Sequence, residues 1–247
     1  MQLTVSLLPS IRPVLSTTDV AVVIDVLRAT SVMTTALANG AKEFLTCQSV
    51  DEARELAQTH DADVLLCGER HCKPIDGFDL GNSPAEYSSD VVQYRSLILT
   101  TTNGTFAIAA AQNARAMVAA SFLNLSAVLV RLRDADSVHL VCAGTNGEIT
   151  AEDVLLAGAI VDRLFSEVNL ELVGDDAILA RELWTAWMGE GGSDQNERLT
   201  QRLAESQGGR NLIDVGYEAD LARCAAIDLF DVVPERVATT PNTFGIL

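Results

Sequence analysis

The sequence predicts an α/β fold: a layered sheet with flanking helices, an active site at the C-terminal ends of the strands, and a helical C-terminal part. Three observations predict it. Short runs such as Val20 to Asp25, Ser96 to Thr100 and Ser137 to Cys142 are largely apolar on both faces, the pattern of buried parallel strands. Each runs into a short turn or loop of small and hydroxyl-bearing residues and then a helical stretch, a βα rhythm that repeats along the chain. Beyond Leu164 that rhythm gives way to amphipathic helical stretches divided by glycines.

In order, Gln2 to Leu7 alternates and reads as a strand, and Pro9 to Pro13 as a turn. The strand from Val20 stops at Asp25, Leu27 to Ser31 forms a turn, and a helix runs to Asn39 with Gly40 as its C-terminal cap. Glu43 to Cys47 is the next strand, and Ser49 with Glu52 makes a capping box for a helix from Val50 to His60. Val64 to Cys67 is a short strand entering a long loop, Gly68 to Asn82, which Phe78 and Leu80 anchor. Loops of that length are usually functional. Ser83-Pro84-Ala85-Glu86 has capping-box spacing with Pro at the first helical position.

The strand Ser96 to Thr100 enters Thr101 to Thr105 and an Ala-rich helix. Arg115 to Ala120 is a strand, Asn124 caps a helix to Leu132, and Ser137 to Cys142 enters the loop Ala143 to Glu148. Thr150 caps the helix that starts at Ala151. Helices then follow over Asp175 to Met188, Asp194 to Ala204 and Tyr217 to Phe230, separated by Gly189 to Gly192 and by Gly208-Gly209, with few strand signals before Val232. Trp184 and Trp187, three apart, read as a core stripe. With no linker in the sequence, residues 1–247 read as a single domain in which 165–230 is a helical subregion, a cap or a dimer surface.

Composition limits what this fold can do. Seventeen basic against thirty-four acidic residues give a net charge of −17, which disfavours nucleic acid and anionic membrane surfaces as partners. An anionic substrate then requires local Arg, backbone amides or a metal to invert the field. No apolar run reaches the roughly 18 residues of a membrane span, and the opening lacks a signal-peptide pattern, so the expected location is the cytoplasm. The five cysteines lack regular spacing and read as free thiols. Cys67, His71 and Cys72 lack the second pair that a zinc site needs.

The chemical anomaly is Asp25. A bare carboxylate at the end of an apolar strand costs several kcal/mol, so it must face a cation, donors or water. Arg28 offers a planar fork for phosphate or carboxylate, although an internal Asp25–Arg28 pair would satisfy the same residues. Thr-Asn-Gly follows two strands, at Thr102 and at Thr145. One such loop is ordinary turn chemistry, whereas two beside Asp25 and Arg28 point to an anion site. Carboxylates on loops and a first helical turn (Asp25, Glu69, Asp79, Glu152, Asp153) suit Mg²⁺, although acids at positions 152 and 153 also simply complement a helix dipole. Other phosphate and nucleophile chemistries fit poorly. There is no phosphate-binding G-x-x-x-x-G-K-[ST] loop, Glu148 opposes a Cys142 thiolate, and Leu27 stands where haloacid-dehalogenase phosphatases place a second Asp. A G-x-S-x-G elbow and an H-E-x-x-H helix are absent as well.

The runs VVIDVLRATSV, CGER, GFDLGNSPAEY, TTTNGT and CAGTNGEITAEDVLLAG, in this order between Val20 and Ile160, resemble those of the 2-phosphosulfolactate phosphatase family. The resemblance implies a Mg²⁺-dependent phosphomonoester hydrolase acting on a small phosphorylated sulfonate-carboxylate in coenzyme M synthesis. Asp25, Arg28 and Glu69 become the expected catalytic residues, and Asp25, Glu69, Asp79 and Asp153 the expected metal ligands. Thr30, Ser31, Asn82, Thr102, Asn103, Gly104, Thr105, Gly144, Asn146 and Gly147 become the expected phosphate-binding positions, and Arg70 or Arg12 would read the sulfonate. Alternatives are a phosphatase for another phosphorylated hydroxy-acid and a non-catalytic phosphometabolite-binding module. A homodimer is the expectation from base rates.

Overall fold

The structure is a computed structural model that describes residues 1–60, 63–189, 195–237 and 242–246. Its strands are β1 (Gln2–Ser6), β2 (Val20–Ile24), β3 (Glu43–Thr46), β4 (Val64–Arg70), β5 (Lys73–Pro74), β6 (Ser96–Thr100), β7 (Ala116–Ala120), β8 (Ser137–Cys142), β9 (Glu171–Leu172), β10 (Glu235–Arg236) and β11 (Thr243–Gly245). The helices are α1 (Ala29–Ala38), α2 (Val50–Thr59), α3 (Ser89–Val92), α4 (Gly104–Ala111), α5 (Leu125–Leu132), α6 (Ala151–Glu167), α7 (Asp175–Met188), α8 (Gln195–Glu205), α9 (Gln207–Asp214) and α10 (Ala219–Cys224).

One sheet runs in the order β5-β4-β6-β3-β11-β10-β7-β2-β8-β1-β9. β4, β6 and β3 form one parallel group, and β7, β2, β8, β1 and β9 another. Between them β11 and β10 pair antiparallel with each other and with β3 and β7. β2 lies inside its group, with Ile24 level with Ala120 and Cys142, so its end is flanked by two further strand ends. All five of its residues are buried, and alternation divides them between two cores. Val20, Val22 and Ile24 pack toward α5, α6 and α7, while Ala21 and Val23 pack toward α1 and α4. Burial on both faces is what makes a continuous Val/Ile run favourable here.

The sequence reading requires several changes: Gly208 and Gly209, expected to separate two helices, lie inside α9, Thr150 at the start of α6 makes no side-chain cap hydrogen bond, and four larger differences follow. β4 continues to Arg70 and turns back into β5, so half of the expected Gly68 to Asn82 loop is a hairpin, and further along an isolated parallel bridge sets Leu80 beside Cys67. Asn124 does not cap α5 with its side chain. Its Oδ1 accepts from Ser121 N, closing a capping box one turn earlier, and its Nδ2 donates to the Val232 carbonyl. Within Tyr217 to Phe230 only Ala219–Cys224 is α-helical. Asp228 leaves the helix because its carboxylate accepts from Ser126 N and Oγ, while the amides of Asp228 and Phe230 donate to the carbonyls of Phe122 and Leu123. Finally, the C-terminal part is not purely helical, since β10 and β11 enter the sheet. Asp194, Gly191 and Gly192 lie outside the described residues. Trp184 is a core residue stacked on Phe122, with centroids 6.0 Å apart.

Candidate active site

The turn after β2 builds the site. Thr30 N and Thr30 Oγ1 donate to the Asp25 carbonyl at 3.0 and 2.8 Å, and Asp25 N donates to Thr30 Oγ1 at 3.2 Å. Ser31 Oγ donates to the Val26 carbonyl at 2.8 Å. The hydroxyls of Thr30 and Ser31 therefore lock the turn, fully buried, and do not serve as the phosphate contacts expected from the sequence. The locked turn presents the Asp25 carboxylate at the start of α1. Its Oδ1 accepts from Ala29 N at 3.2 Å, and its Oδ2 faces Gly104, where a Cβ would lie only 2.7 Å away. Only glycine lets α4 approach this closely. The Asp25 carboxyl is raised from 3.8 to about 7, mainly by burial and also by the nearby charges of Glu69 and Glu152, with the Ala29 amide and Arg28 opposing the rise.

Two further acids tie the strand ends together. Glu69 accepts from Thr102 N at 2.8 Å and from Cys72 N at 2.7 Å, joining β4 to the loop after β6. Asp153 accepts from Val26 N and Gly144 N, both at 2.9 Å, joining α6 to the loops after β2 and β8. Each has both oxygens on backbone amides, so neither is the open ligand expected. Asp79 is exposed, accepts from Leu66 N at 2.8 Å beside β4, and does not line the cavity. Glu152 is different. It is 2% exposed, and its Oε2 has no hydrogen-bond partner. Burial raises the carboxyls of both Glu152 and Asp153.

The two Thr-Asn-Gly loops prove unequal. Thr102 and Asn103 line the cavity, while Thr105 Oγ1 turns back to the Thr101 carbonyl at 3.0 Å. Thr101, 2% exposed, leaves Oγ1 unpartnered, 3.2 Å from the point where a Gly104 Cβ would sit. In the second loop Thr145 and Glu148 exchange backbone bonds at 2.9 and 3.0 Å, with Asn146 and Gly147 at φ 54° and 80°. This is hairpin-turn chemistry, and Gly144 and Gly147 serve the turn without lining the cavity. Asn146 N donates to Asn103 Oδ1 at 3.0 Å, so that amide is taken up in joining the loops.

Arg28, Glu69, Asn82, Thr102, Asn103 and Asn146 line a cavity of about 320 Å³ beside the turn that follows Asp25; Asp25 itself, 7% exposed, is not part of its lining. Its opposite wall is α9, through Asn211, Leu212 and Asp214. That wall, Asp220 and Thr101 are not named as site residues by the sequence reading, which does name Glu152 among the acids suited to Mg²⁺. Asp220 binds Arg28 through Nη1 at 2.6 Å, so Arg28 pairs with a helix 192 residues away and not with Asp25. Nothing local marks that pairing. Thr101 belonged to a run already noticed, and Glu152 was set aside as a first-turn acid. Cys142 is fully buried, and burial, with the charges of Asp153 and Glu152 adding to it, pushes its thiol well above the usual range, so it is a packed thiol. Arg70 donates to the carbonyls of Glu69 and Gln48 and to Thr100 Oγ1. Arg12 lines a separate cavity with His139. Neither lines the cavity beside the Asp25 turn.

The electrostatic balance is distinctive. Asp220 compensates Arg28, which leaves Asp25, Glu69, Glu152 and Asp153 buried together without a matching cation among the described residues. No three His, Cys, Asp or Glu side chains among the described residues lie close enough to cage a metal. Asp25 Oδ2 and the unpartnered Thr101 Oγ1 nevertheless offer oxygen donors on either side of Gly104, and Mg²⁺ needs only one or two protein ligands when substrate and water complete its shell.

A family model described as 2-phosphosulpholactate phosphatase matches residues 8–239. A protein of Pseudothermotoga lettingae, named "Probable 2-phosphosulfolactate phosphatase", is 44% identical over 215 residues, covering 87% of this chain and 88% of its own. Proteins with the same name from Thermotoga petrophila and Caldanaerobacter subterraneus are 42% and 41% identical over 217 residues. They cover 88% and 87% of this chain, and 88% and 86% of their own.

Proposed function

Because the chain belongs to the 2-phosphosulpholactate phosphatase family and is thereby a phosphoric monoester hydrolase, we propose that its cavity hydrolyses 2-phosphosulfolactate to sulfolactate and phosphate. The observation that carries this reading is Asp25. It is a buried carboxylate with one oxygen facing the first residue of α4, three residues before Arg28 and next to the loop of Thr102 and Asn103, which line the cavity with Asn82. The reading extends to a cytoplasmic enzyme of coenzyme M synthesis, dimeric on base rates.

In this account Arg28 supplies a fixed positive charge on the cavity wall for the phosphoryl oxygens, and the side chains of Asn82, Thr102 and Asn103 orient the ester. Glu69 and Asp153 act through the loops they hold. Mg²⁺ enters the proposal because the acids around Asp25 would otherwise repel a phosphate dianion. Asp25 Oδ2, with Thr101 Oγ1 beside it, would hold the ion. When bound, Mg²⁺ would supply charge neutralisation at the phosphoryl group and the leaving oxygen. Residues of α9 close one side of the cavity in which the substrate would sit.

The test is phosphate release by the purified protein from 2-phosphosulfolactate, phospholactate and phosphoglycerate, each with Mg²⁺ and with a chelator. The expected result is turnover that requires Mg²⁺ and favours the sulfonate. Turnover that survives chelation would remove the metal from the account, a preference for a sulfur-free ester would remove the substrate, and no release from any ester would remove the activity.

A further inference from the structure

We propose that Asp220, on the C-terminal helix α10, is the positioning residue that orients the Arg28 guanidinium in the active cavity; the inference rests on the phosphatase reading above. Asp220 is 1% exposed and Arg28 2%. Its Oδ2 accepts from Arg28 Nη1 at 2.6 Å, and its Oδ1 accepts from Ser83 Oγ at 2.7 Å and from Arg223 Nη1 at 3.4 Å. Both oxygens are engaged, so the carboxylate plane is fixed before it meets the arginine. The guanidinium is held from two more directions. Its Nη2 donates to the Cys72 carbonyl at 3.2 Å, and its Cζ lies 4.4 Å from the centroid of the Tyr217 ring.

A buried ion pair adds little net stability, because desolvation offsets the attraction between the charges. What it fixes is direction. Arg28 sits within a turn already locked by Thr30 and Ser31, so α1 needs no such pair to hold it. The guanidinium, at the end of a long flexible chain, does need it if its charge is to meet the phosphoryl oxygens in one geometry. Ser83 adds a second link. It adjoins Asn82, which lines the same cavity, so Asp220 ties Arg28, the loop before α3 and the α9–α10 wall into one frame.

The test is a double-mutant cycle on the Mg²⁺-loaded enzyme with 2-phosphosulfolactate: wild type, Arg28→Ala, Asp220→Ala and the double variant, with the isosteric Asp220→Asn alongside. The expected result is a loss of about 10²-fold in kcat for Asp220→Ala, with KM changing much less, because the arginine charge stays in the cavity but is misaligned with charge that develops in the transition state. The double variant should be no worse than Arg28→Ala alone. Asp220→Asn, with a melting temperature near wild type, should also lose kcat. A loss that multiplies in the double variant, or that falls on KM alone, overturns the inference, since Asp220 would then be holding α10. Full kcat in both Asp220 variants beside a defective Arg28→Ala overturns it as well. Full kcat in Arg28→Ala would instead refute the role of Arg28 in the phosphatase reading.

Discussion

At Asp25 the cost of function is legible as a titration. Its folded carboxyl sits at about 7 against 3.8 for the free group, mainly through burial. The native state therefore binds more protons than the unfolded state across that interval. Metal-free protein should lose stability as pH rises from about 4 to about 7, and the penalty should persist above. Asp25→Asn removes this term and can keep the acceptor for Ala29 N. Its melting temperature at pH 8 without metal should exceed wild type by a few degrees, at about 2–4 °C per kcal/mol for a chain of this size. An equal or lower melting temperature would show that Asp25 is not strained in the native state. Gly104 makes a sharper case: a Cβ there would lie 2.7 Å from both Asp25 Oδ2 and Ala29 Cβ. Gly104→Ala should cost about 10²-fold in kcat/KM by displacing α4 from Asp25, and near-native kcat/KM would contradict this geometry. Asp25 and Gly104 could be found in the sequence because each breaks a local pattern, an acid ending an apolar strand and a glycine opening a helix. Asp220 could not, because its partner is set by tertiary packing.

Elements were legible where burial is continuous. β6 and β8, and helix α7, have the bounds their apolar patterns predict, and β2 ends one residue before Asp25. They were lost where long-range hydrogen bonds override local propensity, as when Asp228 is drawn onto Ser126 and shortens the last helix to Ala219–Cys224. The two- and three-residue strands β10 and β11 are too short to show a period. The crossing of α6 and α7 depends on Gly158, where a Cβ would meet the Ala180 carbonyl oxygen at 2.1 Å and Trp184 Cβ at 2.8 Å. A backbone carbonyl cannot rotate aside, so steric cost outweighs the better helix propensity of alanine. Gly158→Ala should lower stability by about 1–3 kcal/mol in denaturant melts. An unchanged midpoint would mean that the two helices can slide apart without penalty.

For the molecule as a whole, the sequence suggested a strand-rich body followed by a helical appendage, and the fold interleaves the two. β10 and β11 join the parallel groups in mid-sheet, while α9 and α10 supply one wall of the cavity and the counter-ion of Arg28. Such connections have no signal in a linear pattern, since they depend on which distant segments are brought together. Phe244, fully buried beside Phe44, Tyr87 and Leu97 in one core, shows their weight. Phe244→Ala should cost about 3–5 kcal/mol, as a central residue does, whereas a loss under 1 kcal/mol would mark β11 as peripheral. The chemistry proposed for the cavity turns on one carboxylate, Asp25. The most direct measurement is therefore phosphate release from 2-phosphosulfolactate, with Mg²⁺ at pH 7, by Asp25→Asn beside wild type. The account predicts at least a 10²-fold lower kcat in a variant that melts no earlier than wild type. Turnover within a few-fold of wild type would contradict it and move the chemistry away from the end of β2.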